Sequence, residues 1–284
     1  MFYNLFMNTS LLPTQFPIYA LICAAGVGAR AGGDLPKQYQ LIHEQPMLWH
    51  TIKAFADCPE LARVYVVISP NDGWFADSIA PLIAERAWSD RVVILSVGGE
   101  SRAESVRNGL AELDALLDAV LNANSNEASE AWVMVHDAAR PCVRVEQIVQ
   151  LRDAVWTQAE QIVAVSSEAD EWRNIGGILA LPVTDTIKQT ADGAHIKKTI
   201  DRSNLWAAQT PQMFTVSRLY NALCDALTDP EVAKTITDEA SVMEWSGFAP
   251  LLVQGESSNL KVTYPQDFDL AGFYLSRQPF GSVS

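Results

Sequence analysis

An α/β fold is predicted by three observations. Short apolar runs, too brief to span a bilayer and right for buried strands, recur at 18–25, 64–68, 91–95 and 132–135. Each closes on glycine or a polar turn: Gly26 and Gly28, Ser69 to Gly73, Gly98 and Gly99, His136 and Asp137. The segments between them carry apolar residues at helical spacing. Strands alternating with helices imply right-handed crossovers. The predicted architecture is therefore Rossmann-like, a mostly parallel sheet with helices on both faces, plus a projecting β-arm late in the chain.

The elements follow in order. Residues 46–57 place Leu48, Ile52 and Phe55 on one helical stripe. Val64–Ile68 is a strand, 74–87 is helical, and 91–95 is a third strand. Ala103–Leu121 is a helix, and the polar stretch 122–130 a loop. Trp132–Val135 is a fourth strand, followed by a helix over 145–164 and a polar segment, 166–174. Gly176–Val183 reads as a further strand. Residues 184–201 then alternate polar and β-branched side chains around Ala191-Asp192-Gly193, a hairpin signal with too little apolar surface for a core. Helices are expected over 216–227 and 237–245, the second opening on Thr237-Asp238-Glu239. A last strand covers 249–253 and a closing helix 265–274. The reading is one domain over 18–275 with the arm at about 182–206, an N-terminal extension of residues 1–17, and a tail of 276–284.

Charge and cysteine content narrow the function classes. The formal net charge of −14 argues against a nucleic-acid partner and against an anionic membrane surface. An anionic small-molecule substrate would have to meet clustered basic residues on an acidic background. The four cysteines, Cys23, Cys58, Cys142 and Cys224, form no C-x-x-C pair and read as reduced thiols of a cytoplasmic protein. The first 17 residues contain no Lys or Arg, so no signal peptide is expected.

In open α/β sheets, ligands bind beyond the carboxyl ends of the strands. The first strand delivers Ala24, Ala25, Gly26, Gly28, Arg30 and Lys37 to that edge, and the third delivers Gly98, Gly99, Glu100, Arg102 and Ser105. The fourth delivers His136-Asp137-Ala138-Ala139-Arg140-Pro141; Thr237 and Lys261 come from late in the chain. Glycine backbone can approach an anion without Cβ interference, Arg30 offers a planar fork and Lys37 a compact charge. This describes a seat for a polyphosphate. Gly26 to Ala31 also fits the dinucleotide pattern G-x-G-x-x-G/A, the signature of an NAD-dependent oxidoreductase. That pattern expects an acid roughly 20 residues on, and the first acid after the next strand, Asp72, comes much later. Asp137, directly after a buried strand, can reach a ribose hydroxyl or Mg²⁺. His136 reads as a packed, hydrogen-bonded histidine, because a phosphate nucleophile is already ionised and needs no general base.

The run A-A-G-V-G-A-R, P-K-Q, G-G-E-S-R-A-E-S-V, V-H-D-A-A-R-P, P-V-T-D-T-I-K, D-R-S-N-L-W-A-A-Q-T-P-Q, I-T-D-E-A-S and L-K-V-T, in that order, resembles the 2-C-methyl-D-erythritol 4-phosphate cytidylyltransferases of the non-mevalonate isoprenoid pathway. The ribitol-phosphate cytidylyltransferases share several of these motifs. The resemblance implies transfer of CMP from CTP to a sugar-alcohol phosphate with release of diphosphate, aided by Mg²⁺ or another divalent cation. It implies that Arg30 and Lys37 stabilise the α-phosphate, and that Arg202 and Lys261 position the attacking phosphate. Ala24, Ala25, Gly26, Gly28, Gly99, Glu100, Ser105, Asp137 and Ala138 fall to CTP; Arg140, Thr186, Arg202, Thr237 and Lys261 fall to the sugar phosphate. Asp137 is the implied metal contact, alongside the CTP phosphates. The arm is implied to reach across a two-fold homodimer in the cytoplasm.

Overall fold

The computed structural model describes residues 13–26, 35–121, 130–166 and 171–278. β1 (Ile18–Cys23) is followed by a small hairpin, β2 (Leu41–Ile42) and β3 (Gln45–Pro46), and by α1 (Met47–Ala56). β4 (Arg63–Val67) leads through α2 (Phe75–Ser78) and α3 (Ala80–Ala84) to β5 (Val92–Leu95) and α4 (Arg102–Leu121). Then come β6 (Trp132–Asp137), α5 (Val145–Val165), β7 (Gly177–Pro182), β8 (Ile187–Thr190), β9 (Ile196–Ile200) and β10 (Trp206–Thr215). α6 (Val216–Ala226), α7 (Pro230–Ala233), α8 (Glu239–Trp245), β11 (Leu251–Gln254) and α9 (Pro265–Arg277) complete the order.

Seven strands form the main sheet in the order β11-β7-β10-β6-β1-β4-β5. All pairings are parallel except the two made by β10, which runs against both β6 and β7. The register levels the carboxyl ends: Cys23 pairs with Val67 on one side and Asp137 on the other, and Val67 pairs with Leu95. That level rim is where the loops carrying chemistry begin.

Both faces of the sheet are buried. Ile18, Ala20 and Ile22 of β1 pack with Leu48, Ile52 and Phe55 of α1 and Leu151 and Val155 of α5. Leu21 of the same strand joins Val106 and Leu110 of α4, Leu219 and Leu223 of α6 and Met243 of α8. Alternate residues of a strand point to opposite faces, so a strand buried on both must be apolar throughout. The run I-Y-A-L-I-C satisfies that demand. Helices on both faces of a mostly parallel sheet match the predicted class.

Four details differ from the sequence expectation. The helix over 74–87 is two helices, because Pro81 at the start of α3 has no N–H to continue the ladder. β10 lies inside the sheet at residues whose sequence carries no strand pattern. Residues 13–17, assigned to the extension, pack on the domain: Phe16 stacks on Trp172 at 5.1 Å, and Trp132 Nε1 donates to the Pro13 carbonyl at 2.9 Å. Trp172 in turn packs 5.5 Å from Trp132, which anchors residues 171–174 of the polar segment. Residues 1–12 and 279–284 lie outside the described ones.

The arm region forms a two-stranded antiparallel sheet, β8 with β9, separate from the main sheet and largely exposed. Its turn places Gly193 at φ +80°, a conformation that favours glycine. Asp192 accepts from the Ala194 and His195 amides and fixes that turn.

Candidate active site

Four loops meet at the carboxyl rim. Ala24 continues β1, with its N–H on the Val67 carbonyl at 2.8 Å. The Gln38 amide, buried, donates to the Ala24 carbonyl at 2.9 Å. Gln38 sits in the turn Lys37–Tyr39, so this bond places Lys37 beside the glycine loop. The Tyr39 hydroxyl holds the other side of the turn through Asp72 at 2.6 Å.

The loop after β5 is shaped by the start of α4. Ser101 and Glu104 cap one another, the Ser101 N–H on Glu104 Oε2 at 2.9 Å and the Glu104 N–H on Ser101 Oγ at 3.1 Å. Ser105, buried, accepts from the Gly99 N–H at 3.0 Å and donates to the Ser101 carbonyl at 2.9 Å. Gly98 lets this loop touch the first one. A Cβ there would stand 2.3 Å from Ala25 Cβ and 2.9 Å from the Ile68 carbonyl oxygen.

Asp137, the last residue of β6, is the electrostatic centre. Arg102 Nε donates to its Oδ1 at 2.8 Å, and Lys261 Nζ to its Oδ2 at 2.7 Å. The Arg102 fork also grips both oxygens of Glu239, at 2.6 and 2.9 Å. Burial alone would raise the Asp137 carboxyl; the two cations overcome it and hold the group well below the usual carboxylate range. At Glu239 burial prevails and the carboxyl is raised, with Arg102 opposing. The fork still requires both Glu239 oxygens to accept, which is the ionised form.

Lys37 completes the cluster. Its Nζ donates to the Val262 carbonyl at 2.6 Å, next to Lys261, so the two ammonium groups belong to one rim. The Val262 N–H bonds the Ala139 carbonyl at 2.8 Å, tying the Lys261 segment to the loop after β6. In that loop His136 is buried with both ring nitrogens engaged. Nε2 faces the Arg140 carbonyl at 3.1 Å and Nδ1 the Thr210 hydroxyl at 3.0 Å. Burial pushes its pKa down to about 3 against the bond to Arg140, so at neutral pH it is an uncharged structural group, as expected.

The statistical model of the family described as 2-C-methyl-D-erythritol 4-phosphate cytidylyltransferase, IspD, matches residues 18–277. The chain belongs to that family. A relative of that name from Ralstonia nicotianae is 47% identical over 258 residues, 91% of each chain. One from Chromobacterium violaceum is 42% identical, covering 90% of this chain and 97% of its own. Among solved structures, a 4-diphosphocytidyl-2C-methyl-D-erythritol synthase superposes with a TM-score of 0.68 at 36% identity, over 92% of this chain and 98% of that one. The chain is accordingly a nucleotidyltransferase: it carries the cytidylyl group of CTP to 2-C-methyl-D-erythritol 4-phosphate, in the non-mevalonate route to isoprenoids.

Against this family background, the predicted residues separate into four groups. Ala24, Ala25, Gly26, Lys37, Gly99, Ser105, Asp137, Ala138, Arg140 and Lys261 lie on the loops that meet at the rim. Glu100 is exposed at the turn into α4, and Thr237 is exposed just before α8. Thr186 and Arg202 lie on the arm, where the Arg202 guanidinium donates to the Val183 carbonyl at 3.1 Å. Gly28 and Arg30 lie outside the described residues. Arg140 is buried, its guanidinium on the Asn259 and Ala208 carbonyls at 2.7 and 3.2 Å. It braces the Lys261 segment against β10. Sequence reasoning put Arg102 at the rim without giving it a role, and took Glu239 as an ordinary helix-start acid. The spacing of S-x-x-E before α4 was the only local signal near Arg102. No described helix is long and apolar enough to cross a membrane.

Proposed function

We propose that the transfer proceeds by in-line attack of the sugar phosphate on the α-phosphate of CTP, stabilised by cations gathered at the rim. The observation that carries this is that Arg102 and Lys261 converge on Asp137 while Lys37 bonds the Val262 carbonyl next to Lys261, in a chain whose net charge is −14. A phosphate nucleophile is already ionised, so charge stabilisation and positioning do the chemistry. Lys37, with Arg30 seven residues before it in sequence, neutralises charge developing on the α-phosphate. Lys261 is half exposed and held by a single carboxylate, so it is free to exchange Asp137 for an incoming phosphate. The buried, neutral His136 takes no proton in this scheme.

The Gly99 and Ser105 loop with Ala24 to Gly26 forms the nucleoside side. Backbone carbonyls there suit the exocyclic amine of cytosine. Asp137 serves the ribose or Mg²⁺. The donor set fits a hard cation held mainly by substrate phosphates: the Asp137 carboxylate would be its protein contact, and among the described residues no group of three His, Cys, Asp or Glu is placed to cage an ion. Mg²⁺, when bound there, would supply neutralisation of the triphosphate. Thr186, Arg202 and Thr237 grip the acceptor, Arg202 by a bidentate fork on the phosphomonoester. The arm packs on a second copy; exposed Ile196 and Trp206 at its strands support that pairing. Four free thiols support a cytoplasmic location.

The test is diphosphate release from CTP with a panel of polyol phosphates, with and without chelator. Release with methylerythritol phosphate, lost on chelation, is the expected result. Release with ribitol phosphate alone would overturn the acceptor, and release that survives chelation would overturn the metal.

A further inference from the structure

Arg102 makes three charge-assisted bonds to two carboxylates on different elements. Its Nε holds Asp137 at the end of β6; its fork holds Glu239 at the first turn of α8. The Glu239 side chain is 2% exposed and that of Asp137 10%. Two carboxylates this poor in water, side by side, would set a negative wall beneath a site meant for a triphosphate. The bookkeeping of charge is simple: Arg102 and Lys261 balance Asp137 and Glu239. Of the two cations, Lys261 is 47% exposed and makes one bond to the cluster, whereas Arg102 is 27% exposed and makes three. When Lys261 turns to a substrate phosphate, Arg102 alone stays on the two carboxylates and halves their charge, from −2 to −1.

We propose that Arg102 is a positioning residue for nucleotide binding: it cancels the buried Glu239 carboxylate and pins Oδ1 of Asp137, leaving Oδ2 and Lys261 to face the polyphosphate. This rests on the nucleotide reading of the site. The role needs a guanidinium. A fork can hold Glu239 bidentately while Nε reaches Asp137, and a lysine ammonium cannot serve both carboxylates with that geometry. It also explains why a glutamate at a helix start is buried. Glu239 sets the plane and direction of Arg102, and the Glu239 segment is itself fixed by Gln212, whose side chain bonds Asp238 Oδ2 and the Ala240 N–H, each at 2.8 Å.

The experiment is equilibrium binding of CTP by calorimetry in chelator, with KM and kcat measured separately with metal, for wild type, Arg102→Met, Arg102→Lys, Glu239→Gln and the Arg102→Met/Glu239→Gln pair. Arg102→Met is expected to weaken CTP about tenfold or more, the scale of one uncompensated charge near the site. Arg102→Lys is expected to fall between it and wild type. The double variant should recover most of the loss, because the carboxylate that needed cancelling is gone. Glu239→Gln alone, which keeps the shape and frees a cation, should tighten CTP and should bind it even if Arg102→Met fails to fold. A double variant as weak as Arg102→Met, or a Glu239→Gln that weakens CTP, would reduce Arg102 to a strut and overturn the inference. Wild type that binds no CTP would overturn the nucleotide reading itself, which is a separate result.

Discussion

His136 gives a prediction that depends on burial alone. The ring is fully buried, tilted at 55° to the Phe55 ring with centroids 4.7 Å apart, and both nitrogens are used. Burial lowers its pKa from 6.5 to about 3. A group with a folded pKa below its unfolded one binds fewer protons when folded. Its stabilising contribution is whole above the unfolded value and drains away as pH falls toward the folded one. Between pH 7.5 and pH 5 the loss works out at about 2 kcal/mol. Asp137 has the depressed carboxylate pattern, whose loss begins only near pH 4 and below, so it does not confuse this window. His50, also lowered by burial, contributes in the same direction and is common to both proteins compared. The assay is reversible urea unfolding at fixed protein concentration, at the two pH values, for wild type and His136→Gln. The variant should be less stable at pH 7.5, from lost packing and bonds, but its stability should fall by about 2 kcal/mol less on going to pH 5. Equal pH dependence in the two proteins would refute the buried neutral imidazole.

Other expectations follow from the same geometry. Lys37→Ala should lower kcat by about 10²-fold or more while leaving the fold intact, the loss typical of a removed charge stabiliser; steady-state kinetics with a thermal melt check both halves. Arg202→Ala should raise KM for the sugar phosphate far more than for CTP, and equal effects would remove it from the acceptor side. Gly98→Ala should weaken CTP and lower the melting temperature together, since its Cβ would press on Ala25 and on the Ile68 carbonyl. A Gly98→Ala protein with unchanged CTP affinity would mean that the two loops need not touch.

The sheet and its flanking helices were legible because period and length carry them. β1, β4, β5 and β6 are apolar runs that end on turn residues; burial on both faces explains the run in β1, β4 and β6, while β5, at the sheet edge, is only partly buried. β10 was hidden by its own composition. Gln209, Thr210, Pro211 and Gln212 read as a loop, and proline argues against a central strand. The strand survives because its pairing with β7 shifts between Ala208 and Gln212, where Pro211 needs no ladder bond. The polar side chains find buried partners: Thr210 on His136, Gln212 on Asp238. At the site, individual motifs could be read, and their meeting at strand ends followed from the topology rule. The bond between Arg102 and Glu239 could not, because the two are far apart in sequence and a first-turn glutamate ordinarily faces water and the helix dipole.

The reversal of β10 has a topological effect on the arm. β7 runs toward the carboxyl rim and β10 starts back from it, so everything between Pro182 and Trp206 has to leave and return there. Lengthening or trading that excursion disturbs no sheet register. A hairpin graft from a relative with a different acceptor could therefore be tried without redesigning the nucleotide half, and the scaffold has in effect a detachable jaw.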